Sequence, residues 1–227
     1  MDKLVKKSVI SGLAGLVVSA LSGVMPENRY IDQIAGLEPA FAQIRESDYK
    51  YFNSEELYKE GLKQEGIGNF EESIKLYNAA IKTAKKDKIS NNGLILMSMG
   101  NTYLLWAEVL LSNTTTTDDD KGRENLIIAI DKYADSAKII KKTLSSNKEG
   151  WLFRIYYNKG RAHQKLSKQY EILATLSSTG TGAKQKVYEK NAGIERENAI
   201  IEFETALKYK KEQWLDDMLS RYKLQKN

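Results

Sequence analysis

The chain has 227 residues, 35 of them basic and 30 acidic for a net charge of +5, with 41% apolar and 29% charged side chains. With no cysteine and one histidine, His163, it cannot form a disulfide, a thiolate metal site, a cysteine nucleophile, a cysteine-linked lipid anchor or a histidine metal cluster. Its two prolines, Pro26 and Pro39, both precede residue 40, so the strongest helix breaker is absent from the rest and an all-α body is expected.

Residues 1–7, MDKLVKK, are short and basic, and Ser8 to Pro26 then carry no charge. A basic start before an apolar core is the pattern of a secretory signal, and the uncharged run is also long enough to approach a membrane span of about 20 residues. Two cleavage sites have small residues at the required spacing: Ala20-Leu21-Ser22, directly after the apolar core, and Ala40-Phe41-Ala42 before Gln43. Residues 1–42 are therefore expected to be a signal peptide or membrane anchor with a linker, an N-terminal hydrophobic helix that directs the chain to an extracytoplasmic (periplasmic or secreted) or membrane-anchored location. A short buried helix of the folded domain is the alternative. Residues 43–227 form the expected helical domain.

Within it, Leu57 to Ala84 divides into a first helix with Gly61, a turn at Gly68-Asn69-Phe70, and a second helix with Ile74, Tyr77, Ala80 and Ile81. Small residues let two antiparallel helices approach, the aromatic Tyr77 is expected to plug the gap to the next helix, and Gly68 ends the first helix. A second copy starts at Met97–Leu111 with Gly100 and Tyr103. Its turn is replaced by a polar insertion, Ser112 to Arg123, and its second helix carries Ala129, Tyr133 and Ser136. Leu126, Ile130, Tyr133, Ala137 and Ile140 follow a helical period. The third copy begins at Trp151–Leu166 with Gly160, passes a loop near Leu176–Lys184, and ends in a helix with Ala199, Phe203 and Ala206. The last segment, QWLDDMLSRYKL, puts Trp214, Leu215, Met218, Leu219 and Tyr222 on one stripe, as a helix covering the open end of a stack would.

Across residues 54–210 these Gly, small and aromatic positions resemble tetratricopeptide (TPR) repeats, with Ser73 where that family usually has Ala. The resemblance implies antiparallel helix hairpins stacked as a short TPR-like solenoid, two of the three hairpins having extended arms. An unrelated helical bundle is the other all-α architecture compatible with the pattern. In the family, the first helices of successive repeats line a groove that holds a protein or peptide. The resemblance assigns Arg154, Tyr157, Asn158, Arg161 and Lys165 of the third copy to that groove, with Met97 and Asn101 of the second. The third-copy residues recur at three- and four-residue spacing and so share a helix face, which an ordinary solvated face would also do. Leu62 stands where the basic clamp of some relatives has its first Asn, so a terminal-carboxylate ligand is not implied.

Catalytic readings fare poorly. His163 has no second histidine or cysteine to act with, and is expected as a packed side chain. Asp118-Asp119-Asp120 lacks the alternating spacing of a calcium loop and is expected at a solvated hairpin tip. The glycines Gly180 and Gly182 precede no Gly-Lys-Ser/Thr. Lys runs are interleaved with acids, as in Lys85-Lys86-Asp87-Lys88, which argues against a nucleic-acid face. The expectation is a non-catalytic protein–protein interaction scaffold or adaptor needing no cofactor and no metal. The alternative is a helical-bundle accessory or regulatory protein with a small-molecule or nucleic-acid ligand.

Overall fold

A computed structural model describes residues 46–86, 92–112, 116–143, 145–179 and 182–224. The expected signal or anchor, its N-terminal hydrophobic helix and both cleavage sites lie outside the described residues. Among those that are described the protein is all-α: seven α-helices, two short 3-10 turns and no strand. The chain divides into two compact units, Met1–Ile89 and Ser90–Asn227.

In the first unit a 3-10 turn, Glu46–Tyr51, leads to α1 (Ser54–Gly66) and α2 (Phe70–Lys86). Asn53 caps α1 through a reciprocal capping box: its side chain accepts from the backbone N–H groups of Glu55 and Glu56, and the Glu56 carboxylate accepts from the Asn53 N–H. The helix stops where Gly68 takes φ +78°, a left-handed conformation cheap only for glycine, and the Asn69 N–H closes back on the Gln64 carbonyl at 2.9 Å. The return helix then lies so close that a Cβ on Gly61 would fall 2.5 Å from the Tyr77 ring. Ser54 Oγ donates to the Ala80 carbonyl at 2.9 Å, a second tie across the same hairpin.

Tyr77 is fully buried, and its hydroxyl donates to Glu65 at 3.1 Å. Burial, and then the Glu65 charge, push the Tyr77 pKa well above the usual tyrosine value of 10.0. A folded-state pKa raised in this way leaves the stability contribution intact below pH about 10 and erodes it as pH climbs past the unfolded value. Tyr77→Phe is therefore expected to flatten the alkaline loss of stability between about pH 9 and pH 11, read as the change in urea midpoint against the parent chain. An unchanged slope would show that Tyr77 titrates alike in the folded and unfolded chain.

The second unit holds α3 (Asn92–Ser112), α4 (Thr116–Ile140), α5 (Lys148–Leu176), α6 (Ala183–Tyr209) and α7 (Gln213–Leu224). Helices α3 and α4 form one hairpin and α5 and α6 another; α4 packs on α5, α3 also touches α5, and α7 packs on α6. One core runs through Leu104, Ala107, Leu126, Tyr133, Ile140, Leu152, Ile155 and Leu166. A second, formed by Phe153, Phe203, Ala206, Leu215 and Leu219, seats the C-terminal helix on the last hairpin. The expected stripe on α7 is present: Leu215 and Leu219 are buried, while Met218 and Tyr222 pack beside them.

The close-approach device of the first hairpin recurs in both of the others. A Cβ on Gly100 or on Gly160 would come within 2.7 Å of the Tyr133 or the Phe203 ring, respectively. All nine positions of the small–aromatic–small triplets, Ser73/Tyr77/Ala80, Ala129/Tyr133/Ser136 and Ala199/Phe203/Ala206, have 0% exposure. Ser136 Oγ donates to the Gly93 carbonyl at 2.6 Å, and Ser167 Oγ to that of Ala192 at 2.8 Å.

One expectation is corrected. The polar stretch Ser112–Arg123 is not an extended turn with an acidic tip, because α4 already begins at Thr116 and takes in Asp118, Asp119 and Asp120. Negative charge in a first turn faces the positive end of the helix dipole. Gly122 offers no Cβ where Leu111 packs, and Lys121 Nζ lies 4.4 Å above the Trp106 ring. The insertion thus lengthens both arms as helix. In the third hairpin the arms also extend, to 29 and 27 residues, and the turn falls where expected: Ser177–Thr179 form a 3-10 turn and Gly182, φ +70°, precedes α6.

Helix α3 is long and apolar enough to cross a membrane by length and composition. Its Ile95, Met99, Gly100, Leu104 and Ala107 are buried, as in a core helix flanked by packed neighbours.

Candidate partner-binding groove

The groove residues named from the sequence fall on α3 and α5, and these two helices touch. Their facing sides are polar. Asn101 Oδ1 on α3 accepts from Asn158 Nδ2 on α5 at 3.1 Å and from the Tyr133 hydroxyl at 2.7 Å. The aromatic that fills the gap over Gly100 thereby also orients the asparagine, leaving the Asn101 amide donors unspent in that pair.

Two turns further along α3, Glu108 gathers the basic residues. Its carboxylate lies 2.9 Å from an Arg161 guanidinium nitrogen and 3.2 Å from Lys165 Nζ. Arg161 and Glu108 are both mostly buried, at 22% and 15% side-chain exposure, so the pair is shielded from solvent more than an ordinary surface bridge. Two cations on one carboxylate leave a single positive charge over. Arg154, one turn before Tyr157, is exposed and enters no ion pair among the described residues.

Tyr157 closes one end in an aromatic cluster. Its ring stacks on Phe153 at 6.1 Å, tilts against Phe203 at 5.9 Å and meets Trp214 of α7 edge-on at 5.2 Å. Burial raises its pKa above the usual tyrosine value, against the pull of Arg161 and with the push of Glu108. Met97 is half-buried and packs on the core rather than standing open. The structure thus joins Asn101 to Asn158, and Arg161 to Lys165 through Glu108; Met97 packs against the core and Arg154 enters no ion pair among the described residues.

Sequence reasoning missed Glu108 and the reach of the Tyr133 hydroxyl. Glu108 lies seven residues beyond Asn101, on the same face of α3, so its position was readable from the helical period. That it would hold two residues more than fifty positions away was not.

His163 is buried, as expected, with Nδ1 2.5 Å from Glu195 Oε2 on α6. An open cleft of about 370 Å³ between α5 and α6 is lined by Glu171, Gln185, Glu189 and Arg196, and Arg196 is already paired with Glu171 across it. Among the described residues no three His, Cys, Asp or Glu side chains converge as a metal site. No family model, curated protein or solved structure matches this chain.

Proposed function

We propose that the chain is a non-catalytic protein–protein interaction scaffold or adaptor whose hairpins are degenerate TPR-like repeats with extended arms. The repeat reading draws support from Gly61, Gly100 and Gly160, each lying against the aromatic of its return helix, with small residues flanking that aromatic. The binding reading is carried by one observation: the first helices α3 and α5 lie side by side with hydrogen-bonding and cationic groups along one shared strip. Asparagine amides suit an extended peptide backbone, and the uncompensated cation with Arg154 suits acidic side chains on the same partner. Export or membrane attachment through residues 1–42 belongs to the same proposal and brings this surface to an extracytoplasmic face.

A photoreactive residue in place of Arg154, introduced in the native cells, is expected to label a discrete protein, whereas the same group at Lys138 on α4 labels none. Adding Arg161→Ala and Lys165→Ala should weaken labelling several-fold. Recovery of nucleic acid alone, or equal labelling from both positions, would overturn the reading. Sequencing the mature N-terminus in the same sample tests export: an intact cytosolic terminus with no membrane fraction sinks that part.

A further inference from the structure

A second surface, separate from the groove, lies on the outer side of α6. Val187, Ile194 and Ile201 are 55%, 44% and 55% exposed and recur every seven residues. At about 100° per residue they fall within about 40° of one another, on the side of the helix away from Ala192, Ala199 and Phe203. Single exposed apolar residues are ordinary, but three β-branched residues aligned along about four turns form a seam.

The charges beside this seam specify what would cover it. Along one flank run Lys186 and Lys190, then Glu197 and Glu204, all exposed and within about 40° of one another around the helix. Their sign reverses at Ile194; Lys208 lies exposed on the same flank near the end of α6, beyond the overlap of two helices centred on Ile194. A second copy of α6 laid parallel about a two-fold axis would turn its opposite flank to this one, and these lysines and glutamates would not meet. Laid antiparallel about a two-fold axis at Ile194, it brings each Lys190 to Glu197 of the second copy and each Lys186 to Glu204 of the second copy. Val187 then meets Ile201 of the second copy, and Ile194 meets itself. Glu204 already holds Lys223 at 2.6 Å on the surface and has a second oxygen to offer.

We propose that the chain forms a two-fold symmetric homodimer through this face of α6, antiparallel and centred on Ile194. The seven-residue spacing provides the seam, and the flanking charges set its direction, as such charges do between paired helices. The groove on α3 and α5 is not part of this contact, so a dimer would carry two of them.

The chain lacks cysteine, so one introduced thiol reports on one position. Under mild oxidation the full chain with Ile194→Cys is expected to give a disulfide-linked dimer. Val187→Cys and Ile201→Cys should each stay largely uncrosslinked alone and crosslink with each other when mixed. By sedimentation, Lys190→Glu should weaken the dimer about tenfold, since the contact occurs twice, and adding Glu197→Lys should restore it. Ile194→Lys should yield a monomer whose circular dichroism matches the parent and whose urea midpoint matches that of the parent diluted until it dissociates, separating lost association from lost folding. A parent chain that sediments as a monomer at tens of micromolar would overturn the proposal, as it must if this seam serves a different protein. Self-crosslinking of Val187→Cys as efficient as that of Ile194→Cys would overturn the antiparallel arrangement.

Discussion

Phe203→Ala is expected to cost the second unit about 3–5 kcal/mol, the range for removing a fully buried aromatic ring. Few side chains in the protein serve as many helices. The ring covers Gly160 on α5, tilts against Tyr157, and shares its cluster with Leu215 and Leu219 of α7. The cavity left would be bordered by three helices, and the glycine opposite offers no side chain to collapse into it. A loss of that size is a large part of the roughly 5–15 kcal/mol that holds an ordinary domain together. Urea unfolding followed by circular dichroism should show a lower midpoint. The emission of Trp214, which meets Tyr157 at the edge of this cluster, should change at still lower urea as α7 detaches. Phe203→Leu keeps most of the volume and should cost less than half as much. A Phe203→Ala variant with the parent midpoint would mean that α7 and α6 do not depend on this ring.

Gly100→Ala is expected to destabilise by about 1–3 kcal/mol, although alanine is the better helix former by roughly 0.8–1.0 kcal/mol. The new methyl would stand 2.7 Å, 2.8 Å and 3.0 Å from three atoms of the Tyr133 ring, closer than carbon atoms pack. That ring has little room to yield, because it is fully buried and its hydroxyl is committed to Asn101. Gly193→Ala supplies the opposite case. It sits within α6, and a Cβ added there would meet nothing within 4 Å, so the same substitution should raise stability by about 0.5–1 kcal/mol. Opposite signs in thermal unfolding would establish that helix contact, rather than helix propensity, selects glycine at position 100. Combining Gly100→Ala with Tyr133→Leu should cost less than the sum of the two, since the second change removes the obstacle met by the first.

The hairpin core was legible in the sequence because it depends on a local pattern: a glycine on one helix, and an aromatic between two small residues on the next. Gly61, Gly100 and Gly160 each meet the aromatic of their own hairpin, whereas the pattern alone put that ring in the gap to the next helix. The helical identity of residues 116–123 was not legible. Thr116 to Arg123 carry no apolar stripe, and what steadies them comes from the preceding helix, through Leu111 on Gly122 and Trp106 beneath Lys121. The candidate groove divides in the same way. Three- and four-residue spacing puts Arg154, Tyr157, Asn158, Arg161 and Lys165 on one face of α5, but spacing within a helix carries no information about charge supplied by its neighbour. Glu108 therefore changes the character of that face, from three cations to two in excess, without altering any residue on it.

The three glycine–aromatic contacts close chain segments of very different length: sixteen residues separate Gly61 from Tyr77, and forty-three separate Gly160 from Phe203. Loop-closure entropy rises only logarithmically, by about 0.6 kcal/mol per doubling, so the longer hairpin is disfavoured by only about 0.9 kcal/mol relative to the shorter. Each added helical turn in the arms brings its own backbone hydrogen bonds, which weigh against that small penalty. The base of each hairpin is thus under steric constraint while its far end is thermodynamically permissive, and the order of assembly should follow the span to be closed, with the Gly61–Tyr77 hairpin forming first.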